Sequence, residues 1–193
     1  LTTAVDELRF RLQGELYEPG SEGYADACTL FNSMIERRPA FVARCVSADD
    51  VIAGLAFARE QGLDIAVRAG GHSVTGKSLC DGGLVLDLRG IDQIEVDPVA
   101  RTARVGGGAT WSQVDRATQQ HGLATTGGRV SSTGVGGLTL GGGSGWIERK
   151  YGLTCDNVLA AEIVTAAGEI VRASEDENPE LLWALRGGGG NFG

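Results

Sequence analysis

Apolar residues recur at helical spacing at the start of the chain. Val5, Leu8 and Leu12 lie three or four residues apart, which predicts a first helix over residues 4–13. Residues 20–39 follow without a clear period, so we predict a loop there that contains a short helix.

Two apolar runs then flank a second helical pattern. Residues 40–46 (AFVARCV) and 64–69 (DIAVRA) are typical of buried strands. The segment between them opens at Ser47, which is followed three residues later by an acid, and it ends at Gly62. Strand, helix and strand in this order predict a β-α-β unit whose two strands run parallel.

The second half of the chain is dominated by short strands. Its pattern predicts strands at 83–88, 91–97 and 102–106, a helix from Trp111 to Gly122 capped by Thr110, a hairpin over 158–174 turning at Ala167-Gly168, and a last helix over 178–186. We therefore predict an α+β fold of two α/β subdomains. Residues 1–90 would form a small parallel sheet with helices, and residues 91–193 a mostly antiparallel sheet with helices.

The charge pattern excludes several partner classes. The net charge is −8, and the basic residues are scattered rather than clustered, which argues against nucleic acid and against an anionic membrane surface. No apolar run approaches the roughly 18 residues of a membrane span, and the first residues lack the apolar core of a signal peptide. We therefore expect a cytoplasmic protein.

Glycine is enriched, with 31 residues gathered mainly at positions 70–71, 106–108, 134–145 and 187–190. Such clusters indicate tight turns or main chain that approaches a ligand closely. The first cluster follows a predicted strand in the sequence RAGGHS, where exposed backbone N–H groups could hold a pyrophosphate and Arg68 could add positive charge. A Rossmann motif at 134–145 is disfavoured, because the preceding GGRVSST is no apolar strand.

His72 in this loop is one of only two histidines. A metal site lacks partners, since the four cysteines form no C-x-x-C pair and no carboxylate cluster matches His121. A Ser-His-Asp triad would need a G-x-S-x-G turn before an apolar helix, and the chain has none. Attachment of a cofactor and a purely structural role both remain open for His72.

Three segments together resemble a known family. They are RAGGHSVTGKSLCDGGLVLDLRGID, GGLTLGGGSGWIERKYGLTCDNV and ELLWALRGGGGNFG, and their order is similar to that in the PCMH-type FAD-binding domain of vanillyl-alcohol-oxidase-type flavoproteins. The berberine-bridge-enzyme-like branch and its bacterial relatives are the most similar. The resemblance runs from about residue 41 to 193. It implies that the two subdomains hold FAD between them.

The resemblance also implies roles for individual residues. His72 would be joined covalently to the 8α-methyl carbon of the flavin, and Thr133 would lie near the position that governs oxygen access. The other residues implied to contact FAD are Arg68, Ala69, Gly70, Gly71, Ser73, Gly76 and Ser78 along the diphosphate, Thr133, Gly134, Gly136, Gly137, Gly141, Gly142 and Gly143 along the flavin and ribityl chain, and Asn157, Ile163 and Val164 toward the adenosine.

The chain departs from the family pattern in two respects. Many berberine-bridge-like enzymes attach the flavin a second time through a cysteine just before G-V-G-G, but Val130 or a neighbour stands there, and Cys155 lies downstream. We therefore predict a single attachment, through His72. The family's substrate-binding domain is also absent from this sequence, so we expect the chain to be inactive by itself, with no catalytic residue assigned.

The leading hypothesis is thus the FAD-binding part of an FAD-linked oxidoreductase. It would oxidise a small alcohol, amine, sugar or related C–H substrate, with molecular oxygen as the electron acceptor. The alternative is a non-catalytic flavin- or nucleotide-binding module. A third possibility, a peptidoglycan-precursor reductase with a related FAD domain, is disfavoured because such proteins lack the attachment histidine.

Overall fold

The structure is a computed structural model that describes residues 3–193. Leu1 and Thr2, the first two residues of the predicted N-terminal subdomain, lie outside the described residues. The chain divides into two units, of which the first ends at Ile91 and the second covers Asp92–Gly193. Helices and strands occur in both units, which confirms the α+β class.

The first unit is built on a four-stranded sheet with the strand order β1-β2-β4-β3. β4 pairs in parallel with both β2 and β3, and β1 pairs antiparallel with β2 at the edge. The elements are α1 (Ala4–Arg11), β1 (Glu15–Tyr17), α2 (Tyr24–Ala27), β2 (Phe41–Arg44), α3 (Ala48–Gln61), β3 (Ile65–Arg68), β4 (Leu84–Asp87) and a 3-10 turn (Leu88–Gly90).

Local signals explain the bounds of α3. The Ser47 side chain accepts a hydrogen bond from the Asp50 amide, and Gly62 ends the helix in the left-handed conformation at φ 65°. The Asp50 carboxylate is fully buried and accepts from the amides of Gln13, Gly14 and Val46. The acid that completes the capping pattern therefore ties α3 to the chain that follows α1.

The two faces of this sheet have different coverings. On one face, Leu8 of α1 and Phe57 of α3 pack with Leu86 of β4. On the other, Leu30 and Leu79, which lie in loops, pack with Val42, Ala66 and Val85 of the strands. Burial of such side chains stabilises the fold by roughly 25 cal/mol per Å² of apolar surface. Besides these loops, the covering of the second face includes Ala27 of the short helix α2.

The second unit contains two antiparallel hairpins and four short helices. Its elements are β5 (Ile94–Asp97), β6 (Thr102–Val105), α4 (Trp111–Gln119), α5 (Val135–Leu140), α6 (Glu148–Tyr151), a 3-10 turn (Cys155–Asn157), β7 (Ala160–Val164), β8 (Ile170–Ser174) and α7 (Pro179–Leu185). β5 pairs with β6 and β7 with β8. Leu182 and Leu185 of α7 pack on Ala173 of β8, which covers one face of the second hairpin.

The observed elements differ from the sequence-based prediction in three places. β2 and β3 are parallel, as predicted, but β4 lies between them and they do not pair with each other. The hydrophobic pattern did not predict β1, whose three residues are too few to show a period. It also did not predict α5 and α6, and α5 covers the glycine-rich segment itself. Within residues 3–193, no helix is both long and apolar enough to cross a membrane.

Candidate functional site

The loop that carries His72 begins at the carboxyl end of β3. Its path depends on Gly71 and Gly76, which both have positive φ, at 70° and 72°. A Cβ on Gly76 would lie 2.6 Å from Cγ2 of Ile35, so the protein's own packing also requires glycine there. His72 is half-buried, and Gly76 and Ser78 are buried.

Several backbone amides of this loop have no acceptor within the described residues. Over the residues that the structure describes, the N–H groups of Gly70, Ser73 and Val74 donate to no backbone or side-chain oxygen. The Ser73 hydroxyl accepts from the Lys77 amide at 3.1 Å, which closes the turn after His72. Backbone amides without an acceptor suit an anion such as a diphosphate, so this donor set fits the FAD diphosphate that the sequence resemblance implies.

Arg68 is held inside the first unit by its own hydrogen bonds. Its side chain is only 4% exposed, and its guanidinium donates to the carbonyl oxygens of Ala27 and Thr29. Burial, together with the charge of the nearby Arg89, lowers the pKa of Arg68 to about 10. Among its nitrogens, Nε is buried without a partner in the described part of the chain. Arg68 therefore fixes the chain at the end of α2, and its contact with a diphosphate stays a prediction.

The imidazole of His72 has an aromatic neighbour that the sequence patterns did not indicate. The rings of Phe31 and His72 are stacked, with centroids 4.1 Å apart and planes inclined by 16°. Phe31 precedes His72 by 41 residues and lies in the loop segment after α2. The surrounding sequence, TLFNSMI, is mixed in polarity and gives no signal that marks Phe31.

The glycine-rich segment of the second unit folds into α5 and the turn after it. Residues 133–135 are fastened to the chain before α4. The Trp111 amide donates to the Thr133 oxygen, the Val135 amide donates to the Ala109 oxygen, and Gly134 forms a bridge with Thr110. The start of α5 is thereby fixed although no side chain caps it.

The glycines of this segment serve two different purposes. A Cβ on Gly136 would lie 2.7 Å from the Gly107 oxygen, and one on Gly143 would lie 2.4 Å from Oγ1 of Thr154. Both residues are therefore required by internal packing. Gly137 is different, because no atom lies within 4 Å of the position that its Cβ would take. It is exposed, so the absence of a side chain leaves main chain open to a ligand.

The remaining predicted residues lie in the same unit as this segment. The oxygens of Gly142 and Gly143 accept from the amides of Cys155 and Thr154, and Gly141 ends α5. The Asn157 side chain donates to the oxygens of Tyr151 and Leu153 and so shapes the turn after α6.

Ile163 and Val164 are partly buried in β7, where Ile163 packs on the α7 cluster. Ala69 and Gly70 belong instead to the first unit, directly after β3.

The cysteines are free thiols in both units. Cys155 is 5% exposed, and burial raises the pKa of its thiol, with the neighbouring Asp156 acting in the same direction. Such a thiol is a poor nucleophile at neutral pH. Across residues 3–193, no group of three His, Cys, Asp or Glu side chains is arranged to hold a metal ion.

Comparison with known proteins agrees with this arrangement. The family model described as "FAD binding domain" matches residues 39–174. The (R)-6-hydroxynicotine oxidase of Paenarthrobacter nicotinovorans is 42% identical over 182 residues, which are 94% of this chain and 40% of that protein. An FAD-linked oxidoreductase of Dictyostelium discoideum is 38% identical over 193 residues, covering 100% of this chain and 42% of its own length.

Solved structures give the same result. The crystal structure of 6-hydroxy-D-nicotine oxidase from Arthrobacter nicotinovorans superimposes with a TM-score of 0.90 at 41% identity, over 91% of this chain and 39% of that one. Glucooligosaccharide oxidase from Acremonium strictum, described as carrying 6-S-cysteinyl, 8α-N1-histidyl FAD, has a TM-score of 0.90 at 34% identity, over 97% and 40%. The chain thus spans about two fifths of the length of these relatives.

Proposed function

This chain belongs to the FAD-binding domain family, and from that premise we propose that it is the FAD-binding part of an oxidoreductase that holds the cofactor covalently through His72. The observation that carries the proposal is the loop after β3, where a half-buried imidazole lies among amides that have no protein acceptor. A glucooligosaccharide oxidase of the same fold is described with a histidyl-linked FAD, which supports the role of His72.

The loop after β3 would bind the diphosphate of FAD. The amides of Gly70, Ser73 and Val74 are the available donors, and hydrogen bonds from amides to an anion are stronger than those to a neutral acceptor. Arg68 would contribute by holding the chain at the end of α2, through its hydrogen bonds to Ala27 and Thr29. Direct contact of its guanidinium with the diphosphate stays a prediction. The main chain at Gly137 would approach the flavin or its ribityl chain, because a side chain is missing there on an open surface.

When bound, FAD accepts a hydride from a C–H bond and can pass the electrons on to oxygen. The relatives named for nicotine and sugar oxidation favour a small substrate whose reacting carbon bears nitrogen or oxygen. We propose an oxidase of this type, with Thr133 near the path of oxygen. A non-catalytic flavin-binding module is the alternative, and it predicts that no substrate bleaches the flavin absorbance.

Denaturing electrophoresis tests the attachment directly. Purified protein is expected to show flavin fluorescence in the gel, whereas the His72→Ala variant is expected to show none. The His121→Ala variant is the matched control, because it removes the other histidine, which is exposed after α4. Fluorescence that survives in His72→Ala would overturn the proposed attachment.

Mass spectrometry of a flavin-bearing peptide tests whether His72 is the single attachment point. We expect one flavin adduct, on the peptide that contains His72. The buried thiol of Cys155, with its raised pKa, is expected to carry none. An adduct on Cys155 would contradict the single attachment.

A further inference from the structure

The stack between Phe31 and His72 lies within a larger set of contacts. The Phe31 amide donates to the Gly71 oxygen at 3.2 Å, directly before His72. The Asn32 side chain donates to the Val74 oxygen at 3.2 Å, two residues after His72. The aromatic residue is therefore tied to the loop on both sides of the imidazole, by hydrogen bonds separate from the stack.

The segment that carries Phe31 is also held in place by contacts before Phe31, at the end of α2. The Arg68 guanidinium donates to the oxygens of Ala27 and Thr29 at the end of α2. Leu30 is buried and packs against Gly71, where a Cβ would lie 3.3 Å from Cδ2 of Leu30. Residues 27–32 thus contact the chain from Arg68 to Val74, which includes the His72 loop.

Core packing does not explain the position of the Phe31 ring. Phe31 is 67% exposed, so it contributes little of the apolar burial that stabilises the first unit. Phe10 in α1 is similarly exposed, at 92%, and stacks on no aromatic ring in the described chain. The Phe31 ring instead lies parallel to the one side chain to which we assign covalent chemistry.

The geometry of a stack suits a nucleophilic imidazole. The reactive lone pair of an imidazole nitrogen lies in the plane of the ring. Phe31 covers one face of the His72 ring, and no Phe31 atom lies at the edge of that ring. A phenyl ring also offers neither a hydrogen-bond donor nor an acceptor that would occupy the lone pair. We propose that Phe31 is a positioning residue that fixes the ring plane of His72 for bond formation with FAD.

This inference rests on the proposed attachment, whose chemistry balances as follows. An imidazole nitrogen of His72 bonds to the 8α carbon, the carbon loses one hydrogen, and the imidazole loses its N–H proton. The two electrons and two protons that are released are taken by molecular oxygen, which becomes hydrogen peroxide. Orientation of the nitrogen limits such a step, since a misplacement of about 1 Å can cost on the order of 100-fold in rate.

The test follows the rate at which FAD becomes covalently bound. Protein produced without flavin is mixed with FAD, samples are denatured over time, and in-gel fluorescence is measured. We expect Phe31→Leu to slow attachment by about tenfold or more, since its side chain cannot hold the imidazole plane. Phe31→Tyr keeps the stack and is expected to react at the wild-type rate, and so is the matched surface control Phe10→Leu.

Two further measurements separate positioning from folding. Circular dichroism melting is expected to give the same unfolding midpoint for wild type and Phe31→Leu, because Phe31 is largely exposed. In NMR spectra, the His121→Ala variant identifies which histidine signals belong to His72. The ring current of Phe31 is expected to shift the His72 ring protons upfield, and this shift should disappear in Phe31→Leu and persist in Phe31→Tyr.

The outcomes distinguish this inference from the proposed function. Wild-type protein that acquires no covalent flavin, or acquires it elsewhere than on His72, overturns both. Normal attachment in wild type together with an unchanged rate in Phe31→Leu overturns the positioning role alone. A rate lost equally in Phe31→Tyr and Phe31→Leu also overturns it, because the aromatic ring would then not be the feature that matters.

Discussion

The protein's own packing does not explain why Gly137 lacks a side chain. Its neighbours Gly136 and Gly143 would collide with the main chain of Gly107 and with Thr154 if they carried a Cβ. Gly137 lies in α5 with a helical conformation and has open space where its Cβ would be. Alanine would suit a helix better by roughly 0.5–1 kcal/mol, so local stability alone disfavours glycine here.

We therefore predict that Gly137→Ala separates folding from cofactor binding. The free energy of unfolding should stay the same or rise by up to about 1 kcal/mol, because alanine is the better helix former. The dissociation constant for FAD should rise about tenfold, which corresponds to about 1.4 kcal/mol, because a methyl group would then stand where we propose that the cofactor approaches. Flavin fluorescence titration in a His72→Ala background measures the constant, because binding is then reversible.

Gly190→Ala is the matched control for this change. No atom lies within 4 Å of its Cβ position either, and Gly190 is outside the implied cofactor residues. It should leave the FAD dissociation constant unaltered. Equal constants for Gly137→Ala and its background would show that the open surface at Gly137 has no role in binding.

At the scale of elements, the carboxyl ends of three parallel strands bring charges together. Arg44 of β2 and Arg68 of β3 are both in register with Asp87 of β4. The fully buried Asp87 carboxylate accepts from Arg44 Nε at 2.8 Å and from a terminal nitrogen of Arg89 at 2.7 Å. Burial acts to raise the pKa of Asp87, but the hydrogen bonds and charges of Arg89 and Arg44 outweigh it and lower the pKa.

Asp87→Asn should therefore destabilise the protein in a pH-dependent way. We expect a loss of about 2 kcal/mol at pH 7, less than for a fully buried pair, because Arg44 and Arg89 keep 28% and 31% of their side chains exposed. A carboxyl whose pKa is lowered by folding stabilises the folded state at pH values above its unfolded pKa of about 3.9. This contribution to the free energy of unfolding is lost as the pH falls through the folded pKa. The difference between the two proteins should thus shrink below about pH 4.

Urea unfolding followed by circular dichroism at pH 3, 4 and 7 measures this difference. Asp26→Asn, at an exposed position on α2, serves as the control and should match wild type throughout. The explanation fails if the stability gap between Asp87→Asn and wild type is as large at pH 3 as at pH 7.

The elements that the sequence predicts well are those whose ends carry their own signals. Ser47 and Gly62 bound α3 by direct hydrogen bonding and backbone conformation, and the predicted and observed helices agree. The pattern did not predict α5 because two of its six residues, Gly136 and Gly137, are glycines with low helix propensity. Its start is fixed instead by backbone hydrogen bonds to Ala109 and Trp111. Tertiary hydrogen bonds of that kind leave no local pattern.

In the molecule as a whole, the candidate site also combines residues that the sequence can indicate with residues that only the fold brings together. His72 could be found from the sequence, since a rare residue between glycines after a strand is unusual. Phe31 could not, because only the fold brings it to the imidazole from 41 residues away. The sequence could not predict the hydrogen bonds from Arg68 to Ala27 and Thr29 either, because they depend on the position of the end of α2 in the fold.

Covalent attachment should finally change how the stability of the whole protein responds to FAD. A ligand that dissociates stabilises the folded state by RT ln(1 + [L]/Kd), which is about 2.7 kcal/mol when the ligand concentration is 100 times Kd. The Tm of His72→Ala should therefore rise with added FAD. Wild type and His121→Ala, in which we propose that FAD is already linked, should keep a constant Tm in differential scanning calorimetry and retain it after dialysis. A wild-type Tm that climbs with free FAD would show that its sites are not covalently filled, because linked cofactor cannot be gained by mass action.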